Sequence, residues 1–359
     1  MEFEELLASG RIAIQRGPIF DAAPVPPAPD DLEDRVRGMM LGLAIGDALG
    51  NTSEGATPTL RRAKYGEIVD YWPNWYAENR PVGVPTDDTQ LAFWTLEHLV
   101  EHGRLDPERL ADVFANRRIF GMGGTVHQAV SHRQAGRPWH ACGPRSAGNG
   151  ALMRIAPMVI PFLRRPSPAL WADTARAGMI THNDPASISA CVAFVAALWD
   201  LLGMNAPPAA EWWVHRHVEV AAPLEGDARY EARGGEYRDY AGPVWRFVEE
   251  RLTAAQRDGL STLQACESWY SGAYLLETVP CVYYILMRHA HDPEEAIVRA
   301  INDTRDNDTI AAIVGAAVGA LHGERALPQR WRDGLLGRLG ADDDGAAFDV
   351  LDRAVEVFL

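Results

Sequence analysis

One stretch of the chain reads Asp303-Thr304-Arg305-Asp306-Asn307-Asp308-Thr309, and it runs directly into Ile310-Ala311-Ala312-Ile313-Val314-Gly315-Ala316-Ala317-Val318-Gly319. Three carboxylates fall within its first six residues, and the small and apolar residues that follow have the pattern of a buried helix. Oxygen ligands at this density repel one another unless a divalent cation such as Mg²⁺, Mn²⁺ or Ca²⁺ lies between them. A solvated loop that caps a helix explains the stretch equally well, so taken alone it leaves both interpretations open.

A second acidic helix start favours the metal interpretation. Pro85-Thr86-Asp87-Asp88-Thr89 precedes an apolar helical pattern that runs from Leu91 to Gly103. Consecutive residues at a helix start point in different directions around the axis, so Thr86, Asp87 and Asp88 can surround an ion. The helix dipole disfavours cations at an N-terminus, and a high density of aspartates is therefore needed at both starts.

A glycine-bearing helix is predicted from about Asp30 to Gly50. Its glycines Gly38, Gly42 and Gly46 recur every fourth residue, which lowers helix propensity but allows another helix to approach closely. We predict that Gly50 ends this helix in a left-handed cap. Asp47 and Glu54 lie on either side of that end.

Two glycine-rich loops carry a weaker signal. Gly121-Met122-Gly123-Gly124-Thr125 and Ser146-Ala147-Gly148-Asn149-Gly150 each precede a helical pattern, so their N–H groups could bind an anion such as a phosphate. Neither matches a known nucleotide fingerprint, and ordinary turns explain them as well. The segment Thr181-His182-Asn183-Asp184-Pro185 is compatible with a ligand contact or with a helix-capping cluster.

The remaining patterns predict an all-α fold. Further helices are expected over 187–202, 243–257, 272–287 and 346–358, and alternation typical of strands is scarce. Asp292-Pro293-Glu294-Glu295 predicts another helix start, with an aspartate cap, a proline in the first turn and a glutamate three residues after the cap. The polar segment 225–240 is interpreted as an inserted loop. At 359 residues with 47% hydrophobic composition, the chain can bury a substantial core.

Charge and cysteine usage exclude several classes of protein. The net charge of −15 and the lack of a basic block argue against nucleic-acid binding. The four cysteines are widely spaced, which indicates neither a zinc site nor a disulfide framework and suits a reducing compartment. No apolar run is long enough to span a bilayer and the N-terminus is acidic, so we expect a cytoplasmic protein without membrane contact.

Residues 1–29 are predicted to form an extension outside the core, and residues 30–359 the main domain. The extension ends in a proline-rich linker, while its earlier half contains more apolar residues than a spacer needs. It is either a surface tail or an arm that docks on a partner.

Five sequence blocks together resemble the signature of the ADP-ribosylglycohydrolase family, which includes the dinitrogenase reductase-activating glycohydrolases. The blocks are Gly46-Asp47-Ala48-Leu49-Gly50 with Glu54, Thr86-Asp87-Asp88, Gly148 to Arg154, Thr181 to Pro185, and Asp306-Asn307-Asp308-Thr309. The resemblance implies a compact orthogonal multi-helix fold with a dinuclear cleft at helix ends. It also implies two Mg²⁺ ions, or Mn²⁺ in their place, and hydrolysis of the bond between ADP-ribose and a modified protein side chain, with arginine as the expected acceptor.

The resemblance also implies roles for individual residues. The implied metal ligands are Thr86, Asp87, Asp88, Asp306, Asp308 and Thr309, and the implied catalytic residues are Glu54, Asp87 and Asp306. The implied substrate contacts are Gly121, Gly123, Gly124, Thr125, Ser146, Gly148, Asn149, Gly150, His182 and Tyr274. The chain departs from the family pattern where Thr304-Arg305 replace two glycines and Asn307 replaces threonine, so Arg305 is expected to alter the substrate mouth.

Two alternatives follow from other features. Some members of this family are immunity proteins that neutralise an ADP-ribosyltransferase toxin through an N-terminal extension, and by analogy residues 1–29 could bind such a toxin with or without hydrolysis. Asp306 and Asp308 also match the Asp-x-Asp pattern of nucleotide-sugar transferases, but that class requires an α/β sheet domain.

Overall fold

The computed structural model describes residues 1–359, and nearly all of its regular structure is helical. The α-helices are α1 Phe3–Ala8, α2 Leu32–Gly50, α3 Pro58–Tyr65, α4 Asp87–His102, α5 Pro107–Asn116, α6 Gly124–Gln134, α7 Ala169–Met179, α8 Pro185–Leu201, α9 Ala210–Glu225, α10 Val244–Arg257, α11 Thr262–Ser268, α12 Leu275–His289, α13 Pro293–Asp303, α14 Asn307–His322, α15 Gln329–Gly334 and α16 Ala346–Phe358. Seven short 3₁₀ helices connect them, and the only strands, β1 Tyr230–Glu231 and β2 Ala241–Gly242, form one antiparallel pair. The all-α prediction is confirmed.

The antiparallel pair α2 and α14 lies at the centre of the molecule, and both helices are buried along most of their length. Glycines line their contact: a Cβ on Gly42 would lie 2.2 Å from the carbonyl oxygen of Gly315, and one on Gly46 would lie 2.1 Å from that of Ala311. Such distances are far below van der Waals contact, so the two backbones meet without intervening side chains. We call this contact the glycine seam. It confirms the packing role predicted for the glycines of α2.

The seam also explains an error in the predicted end of α2. Gly50 keeps a right-handed conformation, with φ −79° and ψ −41°, and the chain continues into a 3₁₀ turn over Asn51–Ser53. The predicted left-handed cap is therefore wrong. Glycine is needed here for space, because a Cβ on Gly50 would lie 2.4 Å from the Cα of Asp308.

Local signals located several other helix ends correctly. The Asp292 side chain accepts a hydrogen bond from the Glu295 N–H at the start of α13, and Gly103 ends α4 in the left-handed region with φ +67°. Helix α16 spans the predicted residues. The inserted segment predicted at 225–240 includes β1 and leads into β2.

The N-terminal extension packs against the rest of the chain, which corrects its predicted place outside the core. Leu6 is fully buried, Ile12 is 3% exposed, and the rings of Phe3 and Phe20 lie 4.5 Å apart. These side chains join the main hydrophobic core, and the extension contributes α1 and a 3₁₀ turn of its own.

No helix of the chain combines the length and the apolar composition that crossing a membrane requires.

Candidate active site

The glycine seam brings the C-terminal end of α2 against the N-terminus of α14. Asp47, in the last turn of α2, meets Asp308, in the first turn of α14, and Asp88 joins them from the first turn of α4. One carboxylate oxygen from each of these three residues lies within 4.8 Å of the others. A second group with the same spacing comprises Glu54, Asp306 and Asp308. Asp308 therefore belongs to two adjoining carboxylate groups.

Asp47 is the functional-site residue to which the sequence analysis assigned no role. Its carboxylate accepts hydrogen bonds from the N–H and hydroxyl of Thr86, at 2.8 and 2.7 Å, and from the N–H and hydroxyl of Thr89, at 3.1 and 2.6 Å. These four bonds fix the start of α4 against the end of α2. The sequence signal that could have revealed it is a single aspartate in the apolar part of α2, residues 38–50, where a charged side chain is unusual.

The site carries more negative charge than its protein surroundings neutralise. Burial, reinforced by neighbouring carboxylates, raises the pKa of Asp87 to about 7 and those of Asp88 and Asp308 well above their ordinary values. Burial likewise raises the pKa of Asp306 to about 7. The Oδ1 atom of Asp88 is buried without any hydrogen-bond partner. An unpaired oxygen among clustered buried carboxylates fits a hard divalent cation, which would supply the missing opposite charge.

A buried arginine holds the Glu54 loop against the start of α14. The Arg61 guanidinium donates to the Ser53 hydroxyl at 2.8 Å and to the Thr304 carbonyl at 2.6 Å. The Asn307 amide donates to the Gly50 carbonyl and the Ser53 hydroxyl, both at 3.0 Å. These contacts hold the segment that carries Glu54 beside Asp306 and Asp308. They also give a structural role to Asn307, which departs from the family pattern.

The acidic groups form the floor of a cleft of about 140 Å³. The two glycine-rich loops and His182 form its walls, and residues from seven separate stretches of sequence meet there. Of the site residues predicted from the sequence, the cleft is lined by Glu54, Asp87, Asp88, Gly121, Gly123, Gly124, Thr125, Gly148, Asn149, Gly150, His182, Asp306, Asp308 and Thr309. The Asn149 amide connects a wall to the floor, because it donates to Asp306 at 2.5 Å and to the Thr278 hydroxyl at 3.0 Å.

Three predicted residues lie just behind this lining. The Thr86 hydroxyl is bonded to Asp47, and the Ser146 hydroxyl is paired with that of Thr125 at 3.0 Å. Tyr274 pairs through its backbone with Gly148, and the guanidinium of Arg233 lies 4.4 Å from the centre of its ring. Asp303 points elsewhere and forms an ion pair with Arg299 at 3.5 Å.

The two ring nitrogens of His182 face different neighbours. Arg154 donates to the Thr181 hydroxyl oxygen at 2.9 Å, and that hydroxyl lies 3.0 Å from His182 Nδ1. The other nitrogen, Nε2, lies beside Gly148 and Gly150 in the wall of the cleft. Burial, together with the charge of Arg154, lowers the pKa of His182 to about 3, so the ring is neutral.

Arg305 occupies the position where the resemblance implies a glycine. Its guanidinium lies 4.5 Å from the ring centre of Tyr270, and its backbone carbonyl accepts a hydrogen bond from Gly55 N–H, next to Glu54. Tyr270 and Ser271 both have positive φ values, 75° and 48°, which are strained for residues with side chains. The Ser271 carbonyl in turn accepts hydrogen bonds from the N–H groups of Arg305 and Asp306.

Comparison with known proteins identifies the family of the chain. A family model described as ADP-ribosylglycohydrolase matches residues 28–357. The chain belongs to the ADP-ribosylglycohydrolase family. It is therefore a glycohydrolase, as the sequence blocks predicted.

Relatives of the ADP-ribosylglycohydrolase chain cover most of its length. An uncharacterised protein of Archaeoglobus fulgidus is 31% identical over 316 residues, which span 86% of this chain and 93% of the relative. The ADP-ribosylarginine hydrolase Tri1 of Pseudomonas putida is 26% identical, over 84% of this chain and 74% of the relative. The ADP-ribosyl-[dinitrogen reductase] glycohydrolase of Rhodospirillum rubrum is also 26% identical, over 84% and 90%.

A solved structure has the same fold. A chain described as an ADP-ribosylglycohydrolase-related protein complex superposes with a TM-score of 0.67, covering 92% of this chain and 99% of the other, at 24% identity.

Proposed function

We propose that this glycohydrolase removes ADP-ribose from modified arginine side chains of proteins and that it requires two Mg²⁺ ions, with Mn²⁺ as a substitute. The observation that carries the proposal is a pair of adjoining carboxylate groups that share Asp308. One consists of Asp47, Asp88 and Asp308, and the other of Glu54, Asp306 and Asp308. The names of the relatives from Pseudomonas putida and Rhodospirillum rubrum support arginine as the acceptor and an ADP-ribosylated protein as the partner.

The proposed metal ligands are the oxygens at the two acidic helix starts, Thr86, Asp87, Asp88, Asp306, Asp308 and Thr309. Asp47 supports them, because its hydrogen bonds to Thr86 and Thr89 hold the first ligand stretch in place. Bound divalent cations would neutralise the carboxylates and polarise ribose hydroxyls and water.

The side chains around the cleft suggest how the glycosidic bond is hydrolysed. We assign Glu54 to stabilise the positive charge that develops at the anomeric carbon as the carbon–nitrogen bond breaks. The oxygen of a water molecule forms the new bond to that carbon, one of its protons passes to a carboxylate of the site, and the departing guanidine nitrogen takes up a proton. The N–H groups of the two glycine-rich loops are proposed to bind the diphosphate.

The decisive experiment compares arginine-, serine- and aspartate-linked ADP-ribosyl proteins as substrates in the presence of Mg²⁺. We expect release of free ADP-ribose from the arginine-linked substrate, and a loss of at least a hundredfold in rate for Glu54→Gln and Asp308→Ala. Asp303→Asn is the matched control, because Asp303 is paired with Arg299 away from the cleft. Full activity of Asp308→Ala, or of wild type after exhaustive chelation, would refute the two-metal proposal.

We place the catalytic domain at residues 30–359, with residues 1–29 as an extension folded onto it. Toxin neutralisation through this extension is not proposed as a second function, because Leu6 and Ile12, which would have to contact a partner, are buried in the chain itself. A transferase function finds no support either, since the fold contains no α/β sheet domain.

A further inference from the structure

The middle of the N-terminal extension is hydrogen-bonded by one side chain, that of Asn183, in the loop that also carries His182. The Asn183 amide donates to the Arg11 carbonyl at 2.6 Å, and its oxygen accepts from the Ala13 N–H at 3.0 Å. One amide thus makes both hydrogen bonds that a neighbouring strand would make with this backbone. The Gln15 N–H continues the attachment with a hydrogen bond of 2.9 Å to the Leu224 carbonyl at the end of α9.

Asn183 is also tied to the loop that forms the wall of the cleft. Its own N–H donates to the Pro144 carbonyl at 3.0 Å, just before the Ser146–Gly150 loop. The preceding residue, His182, presents Nε2 toward Gly148 and Gly150. A few residues later, the Ser187 hydroxyl donates to the Gly148 carbonyl at 3.3 Å. The extension, Asn183 and the cleft wall are therefore linked by consecutive contacts.

Asp184, the residue after Asn183, fixes the same loop from another direction. Asp184 accepts hydrogen bonds from the N–H groups of Ala186 and Ser187 at the start of α8, and from the Tyr230 hydroxyl at 2.7 Å. Tyr230 belongs to β1 in the inserted segment. Asp184 thus holds the loop from the helix side while residues 11–13 hold it from the other side, and His182 lies between the two attachments.

We propose that residues 11–15 of the extension act as an intramolecular clamp, which positions His182 through Asn183 and so sets the affinity of the cleft for the ADP-ribose moiety. This inference rests on the proposed function. Asn183 is a positioning residue, because its side-chain amide bonds to the extension and Asn183 is not among the residues that line the cleft. The Nε2 atom of His182, beside Gly148 and Gly150, is then held in position for a hydrogen bond to the ligand.

The test compares two substitutions in the full-length protein. Asn183→Ala removes both hydrogen bonds to the extension at the cleft. Trp199→Phe is the matched control, because the Trp199 indole donates to the Val25 carbonyl at 2.6 Å and its loss releases the extension only at its far end. Binding of free ADP-ribose in the presence of Mg²⁺ is measured by calorimetry, and KM and kcat are measured with the arginine-linked substrate.

We expect Asn183→Ala to weaken ADP-ribose binding and raise KM at least fivefold while kcat changes less than twofold. Trp199→Phe should lower the melting temperature to a similar extent but leave the Kd for ADP-ribose within twofold of wild type. A purely structural role of the extension predicts that the Kd follows the melting temperature in both variants, and that outcome would overturn the proposal. Unchanged affinity in Asn183→Ala would overturn it as well.

Hydrogen exchange separates this proposal from the proposed function. In the absence of any ligand, we expect faster amide exchange in peptides covering 145–151 and 179–185 for Asn183→Ala but not for Trp199→Phe. If wild type neither binds ADP-ribose nor hydrolyses the substrate while this exchange difference is present, the proposed function fails and the clamp itself remains. Equal exchange in both variants contradicts the clamp irrespective of the substrate.

Discussion

Two buried ionisable residues, Asp47 and His217, differ in whether hydrogen bonds compensate for their burial. Asp47 is fully buried, and four hydrogen bonds compensate for its loss of water. His217 is 2% exposed on α9, and neither ring nitrogen has a hydrogen-bond partner. Its ring packs 5.0 Å from that of Tyr283, whose hydroxyl is also unpartnered. Asp47 therefore serves the site, whereas His217 lowers the stability of the fold.

We predict that His217→Leu stabilises the protein and that the gain grows in acid. Burial lowers the pKa of His217 from 6.5 to about 3, so between these values the unfolded chain takes up a proton that the folded chain does not. The folded state consequently loses stability as the pH falls toward and below 6.5, and this residue accounts for a loss of about 2 kcal/mol between pH 7 and pH 5. Urea unfolding at pH 7 and pH 5 measures the difference between variant and wild type.

His215→Leu is the control for this prediction, because His215 is exposed on the same helix. It should leave the free energy of unfolding unchanged at both pH values. A His217→Leu variant that is less stable than wild type at pH 5 would contradict this prediction. It would mean that the buried imidazole makes a stabilising interaction that the structure does not contain.

At the scale of secondary-structure elements, the sequence predicted the helices better than the contacts between them. Capping residues and apolar periodicity are local, so α16 and the start of α13 were predicted well. Glycines four residues apart predicted a close helix contact but could not name α14 as the partner. The Gly50 cap was wrong for the same reason, because the constraint on Gly50 comes from Asp308, which is remote in sequence.

We predict that Gly42→Ala disrupts the glycine seam. The new Cβ would lie 2.2 Å from the carbonyl oxygen of Gly315, which cannot rotate away, so α2 and α14 must separate. The free energy of unfolding should fall by about 3 kcal/mol, and activity should fall further because Asp47 and Asp308 move apart. Denaturant unfolding and the hydrolase assay measure the two effects.

Gly123→Ala is the matched control for the seam. Gly123 has φ −66°, and a Cβ there would meet no atom within 4 Å, so its substitution should leave the stability within about 0.5 kcal/mol of wild type. If Gly42→Ala is equally harmless, the two helices are not in backbone contact in solution.

For the molecule as a whole, the family blocks contain most of the residues that line the cleft, because each acidic or glycine-rich stretch is contiguous in sequence. The course of the extension could not be predicted in this way. Its apolar residues suggested a binding surface, but only the folded chain shows that the surface they meet is its own α7 and the core around it. Burial against the same chain and burial against a partner leave the same pattern in a sequence.

We predict that Mg²⁺ stabilises the whole protein because it binds carboxylates that repel one another in the free protein. At about one hundred times its Kd, each bound Mg²⁺ should raise the free energy of unfolding by about 2.7 kcal/mol relative to a chelator. Asp88→Asn should reverse the pattern: with one unpaired buried charge fewer, the variant should be more stable than wild type in the chelator and respond weakly to Mg²⁺. Thermal unfolding at constant ionic strength measures both.

Asp303→Asn again serves as the control, since Asp303 is buried but paired with Arg299, and it should keep the full response to Mg²⁺. An equal loss of the Mg²⁺ response in both variants would mean that the ion acts through general charge screening, and the carboxylate groups around Asp308 would then have no specific part in it.

The glycine seam also has a consequence for synthesis of the protein. Asp47 is translated well before Asp308 and the helix that carries it. Until α14 has been made, the glycine face of α2 has no partner to cover it, and its four glycines disfavour an isolated helix. A nascent or truncated chain that lacks α14 therefore has neither the central helix pair nor the acidic floor, so hydrolysis can begin only after α14 has been translated.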